Sequence, residues 1–357
     1  MSVLIFLAAL ILIYILWSLM LKKGIHNLSC QRAFSKEKFF EGESGELVET
    51  VRNDGSYIIP WLRVEGYISP NLRLGRQANL HVSSEAFYRS WFTMMPYQQI
   101  RRRHYVEFLR RGVYDLGNVS ICAGDPLGLT RFWKDQQLDA PVMVYPQILD
   151  MEQLPYPLSH TMGELLTKNR LMQDPFLIRG IRHYQPGDLI RDIHWQATAR
   201  TEELQVRVHE QAVCSRLLVI INAQGSDEQW DNYVRDTDVE AVENCIRLAA
   251  SLCVHGLRNG LAVGFATNLP QEKQGESTLI LPGEGVALED VLLESFARLQ
   301  LHCSELFTPM LERFTQFTDT DIVVLSLYDS DSIQSELNKL RQQGNQVTFY
   351  HMEGGHL

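Results

Sequence analysis

The chain has no charged residue from Val3 to Leu21, no CxxC pair, and little positive charge to set against its acidic half. Each shortage excludes something. The six cysteines are Cys30, Cys122, Cys214, Cys245, Cys253 and Cys303. With no CxxC and no Cys/His spacing of a zinc site, they read as reduced, structural thiols. There is no G-x-x-x-x-G-K-[ST], no H-E-x-x-H and no G-x-S-x-G. Phosphate-loop, zincin and nucleophile-elbow chemistry therefore have no sequence basis. His183, His194 and His209 are the available general bases, but no Ser or Cys partner is signalled beside them. Catalytic residues and cofactors are accordingly expected to be none.

Charge divides unevenly along the 357 residues. Lys22 to Asp150 hold 17 basic and 14 acidic residues, whereas Met151 to Leu357 hold 16 and 29. A slightly basic proximal half suits anionic headgroups. A strongly acidic distal half excludes a nucleic-acid grip, which needs clustered positive charge. In the basic run Arg101-Arg102-Arg103-His104, the neighbours Tyr105, Val106 and Phe108 indicate a strand, so alternate arginines should point to opposite faces.

What is present begins with the uncharged run. Val3 to Leu21 contains only Ser18 as a clearly polar residue. At 1.5 Å per residue it reaches roughly 28 Å, close to the ~30 Å hydrocarbon core. Tyr14 and Trp17 lie toward its C-terminal end, as interfacial aromatics do. A cleaved signal peptide would carry a basic n-region and a small-residue cleavage site. Here Lys22-Lys23 come directly after the run and no Lys or Arg precedes it. Residues 3–21 are therefore expected to be a membrane anchor in contact with lipid. Lys22, Lys23, Arg32, Lys36 and Lys38 place the rest of the chain in the cytoplasm, after a single pass through the cell membrane.

Residues 1–23 form the expected anchor and 24–150 a β-sandwich domain. Within the latter, Trp61–Ile68 alternates, and Asn53-Asp54-Gly55, Ser69-Pro70-Asn71 and Gly124-Asp125-Pro126 supply turns. No useful helical period appears before about Gly163. From Arg216 the rhythm changes to strands alternating with helices: Arg216–Asn222, a helix opened by a T-x-x-E capping box at Thr237 and Glu240, Leu261–Thr267, Ser277–Pro282, Ala287–Gln300, Asp321–Tyr328, Ser332–Gln343 and Gln346–Met352. This is the pattern of a doubly wound α/β domain over 211–357, with residues 151–210 as a connecting segment. The fold class is thus α/β plus all-β. Ligands on such a sheet bind at the carboxyl ends of strands, so the loops after Ile221 and Leu327 are the places to look.

In the connecting segment Pro186-Gly187-Asp188 reads as a turn, with Asp188 capping a short helix through Leu189, Ile190, Ile193 and Ala197. Arg179, Arg182, Arg191, Arg200 and Arg207 are matched by Asp188, Asp192, Glu202, Glu203 and Glu210. An ion-pair network at a joint between domains is expected, with Arg191 and Arg200 holding it and performing no catalysis.

The run Arg182, Tyr184, Pro186, Gly187, Asp188, Arg191, Ile193, Trp195, Ala199, Arg200 closely resembles the signature of the bacterial domain-of-unknown-function 58 (DUF58) family. Arg110–Gly117, Gly124–Leu129 and Val144–Gln147 stand in family order. The resemblance implies an N-terminal membrane anchor, a β-sandwich and a von Willebrand factor A-like (Rossmann-like) C-terminal domain. It also implies association with a MoxR-type AAA+ ATPase or a transglutaminase-like membrane protein. In the von Willebrand A fold a D-x-S-x-S loop after the first strand can hold Mg²⁺. This chain has Asn222, Gln224 and Ser226 there, so the metal site is expected to be vestigial. The loop expected to provide a Thr reads Gly283-Glu284-Gly285-Val286, and Asp329 and Asp331 stand slightly past the position of a later Asp. The expectation is a membrane-anchored interaction or scaffold protein: the sandwich as spacer, the arginine-rich segment as joint, the acidic C-terminal domain as docking surface. The alternative is a metal-dependent adhesion module or hydrolase using the loop after Ile221.

Overall fold

A computed structural model describes residues 2–75, 80–82, 87–125, 130–138, 140–172, 178–185, 188–209, 215–227, 233–272 and 275–352. The chain divides into two compact units, Met1–Gln147 and Ile148–Leu357.

The first unit opens with the helix Ser2–His26. From Leu4 to His26 it is long and apolar enough to cross a membrane. The chain then enters two sheets. One pairs Leu28–Phe34, Ser44–Asn53, Gln99–Phe108 and Leu72–Leu74 in that order; the other orders Arg131–Gln137, Asn118–Gly124, Ile59–Tyr67, Phe87–Met94 and Leu80–Val82. Alternation sends Leu62 and Val64 inward to meet Cys30 and Val51 of the facing sheet, and Leu21 and Ile25 of the helix join the same core. A small third sheet pairs Pro141–Tyr145 with Lys38–Phe40 in parallel and with Gly112–Asp115. The basic strand obeys the period-2 expectation. Arg101, Arg103 and Tyr105 point outward while His104 and Val106 are buried, and Arg102 lies 3.9 Å over the Phe92 ring.

The second unit is a mixed α/β body. Its sheet orders Ser277–Gly283, Ala262–Pro270, Arg216–Asn222, Thr320–Ser326 and Gln346–His351. The last four are parallel, and Ser277–Gly283 lies antiparallel on the edge. No helix separates it from the strand before it, so the chain turns back as a hairpin. Along Arg216–Asn222, Leu217, Val219 and Ile221 pack under the helix Val239–Arg258. Leu218 and Ile220 pack on the other face against Phe307, Phe314 and the helix Asp331–Gln342. Both faces are covered, which is why this strand is a continuous apolar run. The helix Tyr156–Met172 belongs to the same body, burying Leu158, Met162 and Leu165 in the first of these clusters.

Two local expectations fail. The T-x-x-E spacing makes no capping box. Asp238 is the N-cap of Val239–Arg258 without a side-chain bond, and the Thr237 hydroxyl donates to Asp238 Oδ1 at 3.0 Å. The loop Gly283–Val286 is at the wrong end of the sheet, because Gly283 pairs with Val263 near the start of its strand. The antiparallel edge strand carries that loop away from Asn222.

Candidate functional site

The signature segment folds as a hairpin, Ile178–His183 against Gln205–His209, crossed by a 3-10 turn at Ile190–Asp192 and a helix at Trp195–Thr201. Its turn is held by one ion pair. Arg182 Nη1 and Nη2 donate to Asp188 Oδ2 and Oδ1, each at 2.7 Å, and Asp188 Oδ2 also accepts the Gln185 amide at 2.8 Å. The bond from Arg182, with that amide, holds the Asp188 carboxyl below the usual carboxylate range. Asp188 therefore does not cap a helix. Leu189 precedes the 3-10 turn without a side-chain cap, and His194 Nδ1 caps the next helix by accepting the Ala197 amide at 3.1 Å. The single helix expected through Ala197 becomes two short pieces.

Among the described residues Ile193 and Val206 are the apolar side chains this motif buries, linked by an antiparallel bridge. Tyr184 is half-buried, its amide donating to Leu204 O at 2.9 Å. Trp195 is 63% exposed and Ile190 74%, with Leu189 and Ile181 also exposed. Arg200 lies on the exposed helix face. Pro186, Gly187 and the Arg191 side chain lie outside the described residues, as does the side chain of His209. His183 Nδ1 stands 3.1 Å from Gln205 Nε2 and 3.0 Å from Glu203 Oε2.

Asn222, Gln224 and Ser226, the positions compared above with a metal loop, lie at the carboxyl ends of the parallel strands. Asn222 is fully buried. Its Nδ2 donates to Ser326 Oγ at 3.0 Å; its Oδ1 accepts the Gln224 amide at 3.0 Å and Asn268 Nδ2 at 3.3 Å. Asn268 Oδ1 accepts the Ala223 amide at 3.0 Å, and Gln224 Oε1 accepts the Phe307 amide at 2.6 Å. Ser226 is half-buried just beyond. Sequence reading missed Asn268, whose only signal was a place at the end of a neighbouring parallel strand; Ser326 lies in the stretch 325–328, where a later Asp was expected. The Asp227 carboxylate accepts from Tyr328 Oη at 3.0 Å and Ser330 Oγ at 3.1 Å. Burial, then the Asp227 carboxylate, push the Tyr328 phenol up. Asp329 accepts Gln334 Nε2 at 2.8 Å, and Asp331 opens the next helix. A hard divalent cation wants several anionic or neutral oxygens directed at one point. Here Asn222 turns an amide donor toward Ser326, and the buried amides satisfy one another. The group does not fit such an ion.

Residues 180–281 match the model of the family described as "Protein of unknown function DUF58". Over those residues the chain is similar to that family. The matched stretch takes in most of the signature hairpin, the strand ending at Asn222 and the strand bearing Asn268. An uncharacterized protein of Bacillus subtilis (strain 168), YeaD, is 24% identical over 160 residues, covering 44% of this chain. The aligned part spans about a third of that relative, 36% of its length. Among solved structures, the CARDB domain of a Pyrococcus furiosus protein aligns with 34% of this chain and 96% of its own at 11% identity and a TM-score of 0.23. A type I cohesin from Pseudobacteroides cellulosolvens aligns with 34% of this chain and 94% of its own at 12% identity and a TM-score of 0.22. Likeness at that level says nothing about what this chain does.

Proposed function

We propose that this chain is a membrane-anchored interaction protein of the DUF58 family, with its folded units on the cytoplasmic side. The observation that carries the reading is the exposed apolar group Leu189, Ile190 and Trp195 on the signature hairpin. The hairpin keeps its shape through the Arg182–Asp188 fork and the small Ile193–Val206 core, so these side chains are left for a partner. Aromatic side chains of this kind anchor protein interfaces. The second unit is read as a von Willebrand factor A-like, doubly wound domain whose metal loop has become a network of amides. Its acidic surface favours a basic partner and speeds association. A MoxR-type AAA+ ATPase is the first candidate, and a transglutaminase-like membrane protein the second.

The test is capture of a purified MoxR-type ATPase by the full chain in detergent. Trp195→Ala and Ile190→Ala should each weaken capture without moving the melting temperature. Undiminished capture by the double variant would overturn the hairpin as the contact.

A further inference from the structure

The apolar helix is not free of the sandwich until its end. Tyr14, Trp17 and Ser18 are half-buried and Leu21, Gly24 and Ile25 buried, one helical face pressed against the first unit. The uppermost contact is a hydrogen bond from Tyr14 Oη to Asp125 Oδ2 at 3.3 Å. Tyr14 precedes Lys22 by about eight residues, or roughly 12 Å of helix. The lysine side chains can extend outward along the membrane normal, so the corner at Asp125 stands on the membrane side of them, at the level of the interface. Asp125 is equipped for this place. It is buried, and its Oδ2 also accepts the amide and hydroxyl of Thr130 at 2.7 and 2.6 Å, so the carboxylate oxygen is well hydrogen-bonded.

The outward face of the adjoining sheet carries the matching chemistry. Next to Thr130, Arg131 stands opposite Gly124, which stands opposite Trp61. Arg131 lies 5.8 Å from the Trp61 ring. In the neighbouring row, Arg63 lies between Trp91 and Trp133, 5.6 and 5.2 Å from their rings, with Trp133 53% exposed. Among the described residues the acidic side chains of this face, Glu65 and Asp135, come one row farther from the Asp125 corner, where Glu65 Oε1 pairs with Arg63 Nε at 3.0 Å and with Arg89 Nε at 2.8 Å. Indoles and Arg131 nearest the Asp125 corner, with the Glu65 and Asp135 carboxylates a row or more beyond, is the order of an anionic membrane interface.

From this placement we infer that the Trp61–Trp133–Arg131 corner of the sandwich sits in the headgroup layer of an anionic bilayer. The first unit is then seated in the membrane surface instead of hanging from a tether. The inference rests on the reading of the first helix as a membrane anchor.

Its test uses the full chain, with Cys214→Ser, reconstituted into phosphatidylcholine–phosphatidylglycerol vesicles. The described cysteines are all buried, so a polarity-sensitive label goes to Trp133→Cys or, as a control, to Tyr67→Cys on the same face. Tyr67 lies six residues along the strand from Trp61, roughly 20 Å away. The label at 133 should be quenched by doxyl lipid and react several-fold more slowly with aqueous dithionite than the label at 67. Equal dithionite rates at the two positions, in protein that still floats with vesicles after an alkaline wash, would overturn the inference and leave the anchor standing. Protein released by that wash would overturn both.

Discussion

Arg32 and Glu49 meet inside the sandwich, guanidinium Nη2 and carboxylate Oε1 2.6 Å apart and each side chain 1% exposed. They are direct cross-strand partners. His104 Nε2, on the next strand, lies 3.6 Å from Glu49 Oε2, and Arg32 stacks 4.4 Å over the Tyr88 ring. Burial alone would raise the Glu49 carboxyl, but His104 and Arg32 outweigh it and hold it below its ordinary value. A carboxyl lowered on folding stabilises above its unfolded pKa of about 4.3, and that contribution is lost as pH falls through the lower folded value. Glu49→Gln should cost about 3–5 kcal/mol at neutral pH, because Arg32 keeps its charge without a partner. It should also flatten the acid limb of stability against pH. Melting curves between pH 7 and pH 3 check both, and an acid limb as steep as in the parent would refute the assignment to Glu49.

Asn222→Ala should destabilise by about 1–3 kcal/mol, the cost of leaving buried groups unsatisfied. The affected groups are Ser326 Oγ, Asn268 Nδ2 and the Gln224 amide. Calorimetric titration of the full chain with Mg²⁺ should show no binding heat that depends on Ser226. Micromolar binding abolished by Ser226→Ala would sink this reading of the loop.

The Arg182–Asp188 fork should matter locally and not globally, since exposed pairs add little to stability. Asp188→Ala should speed hydrogen exchange at the Gln185 amide, which the carboxylate now accepts. The melting temperature should stay in place. An unchanged exchange rate would mean that the turn is held by something else.

Gly124→Ala tests the packing beneath the tryptophan face. A Cβ there would come within 2.7 Å of the Trp61 ring. The ring must move or the strands part, at about 1–3 kcal/mol for overpacking. A shifted tryptophan emission with lowered stability is expected, and a silent substitution would show Trp61 free to move.

Binding to a partner through the acidic unit should weaken several-fold between low and high salt, because screening shortens the reach of surface charge to ~8 Å at physiological ionic strength. Charge reversal at Asp329 and Asp331 should slow association more than it speeds release. A complex insensitive to both would leave the acidic surface a matter of solubility.

Local physics made much of this molecule legible in sequence. Period-2 alternation gave the faces of Ile59–Tyr67 and Gln99–Phe108, and a continuous apolar run marked Arg216–Asn222 as covered on both sides. The uncharged stretch before Lys22 announced a helix able to span a bilayer, because backbone in lipid must satisfy its own hydrogen bonds. Substitution of amides for carboxylates at Asn222 and Gln224 was also visible, as residue identity alone.

Tertiary structure decided what those residues touch. Asn268 and Ser326 reach Asn222 only because parallel strands far apart in sequence end side by side. Gly283–Val286 leaves that end because its strand runs antiparallel. Asp188 could cap a helix or pair with Arg182, and sequence spacing allowed both; the hairpin brings the guanidinium within bidentate reach, and a charge-assisted fork outcompetes a single cap. The apolar period of the first helix likewise gave no sign that one face from Tyr14 to Ile25 would be spent on the sandwich, because lipid and a protein core select the same side chains.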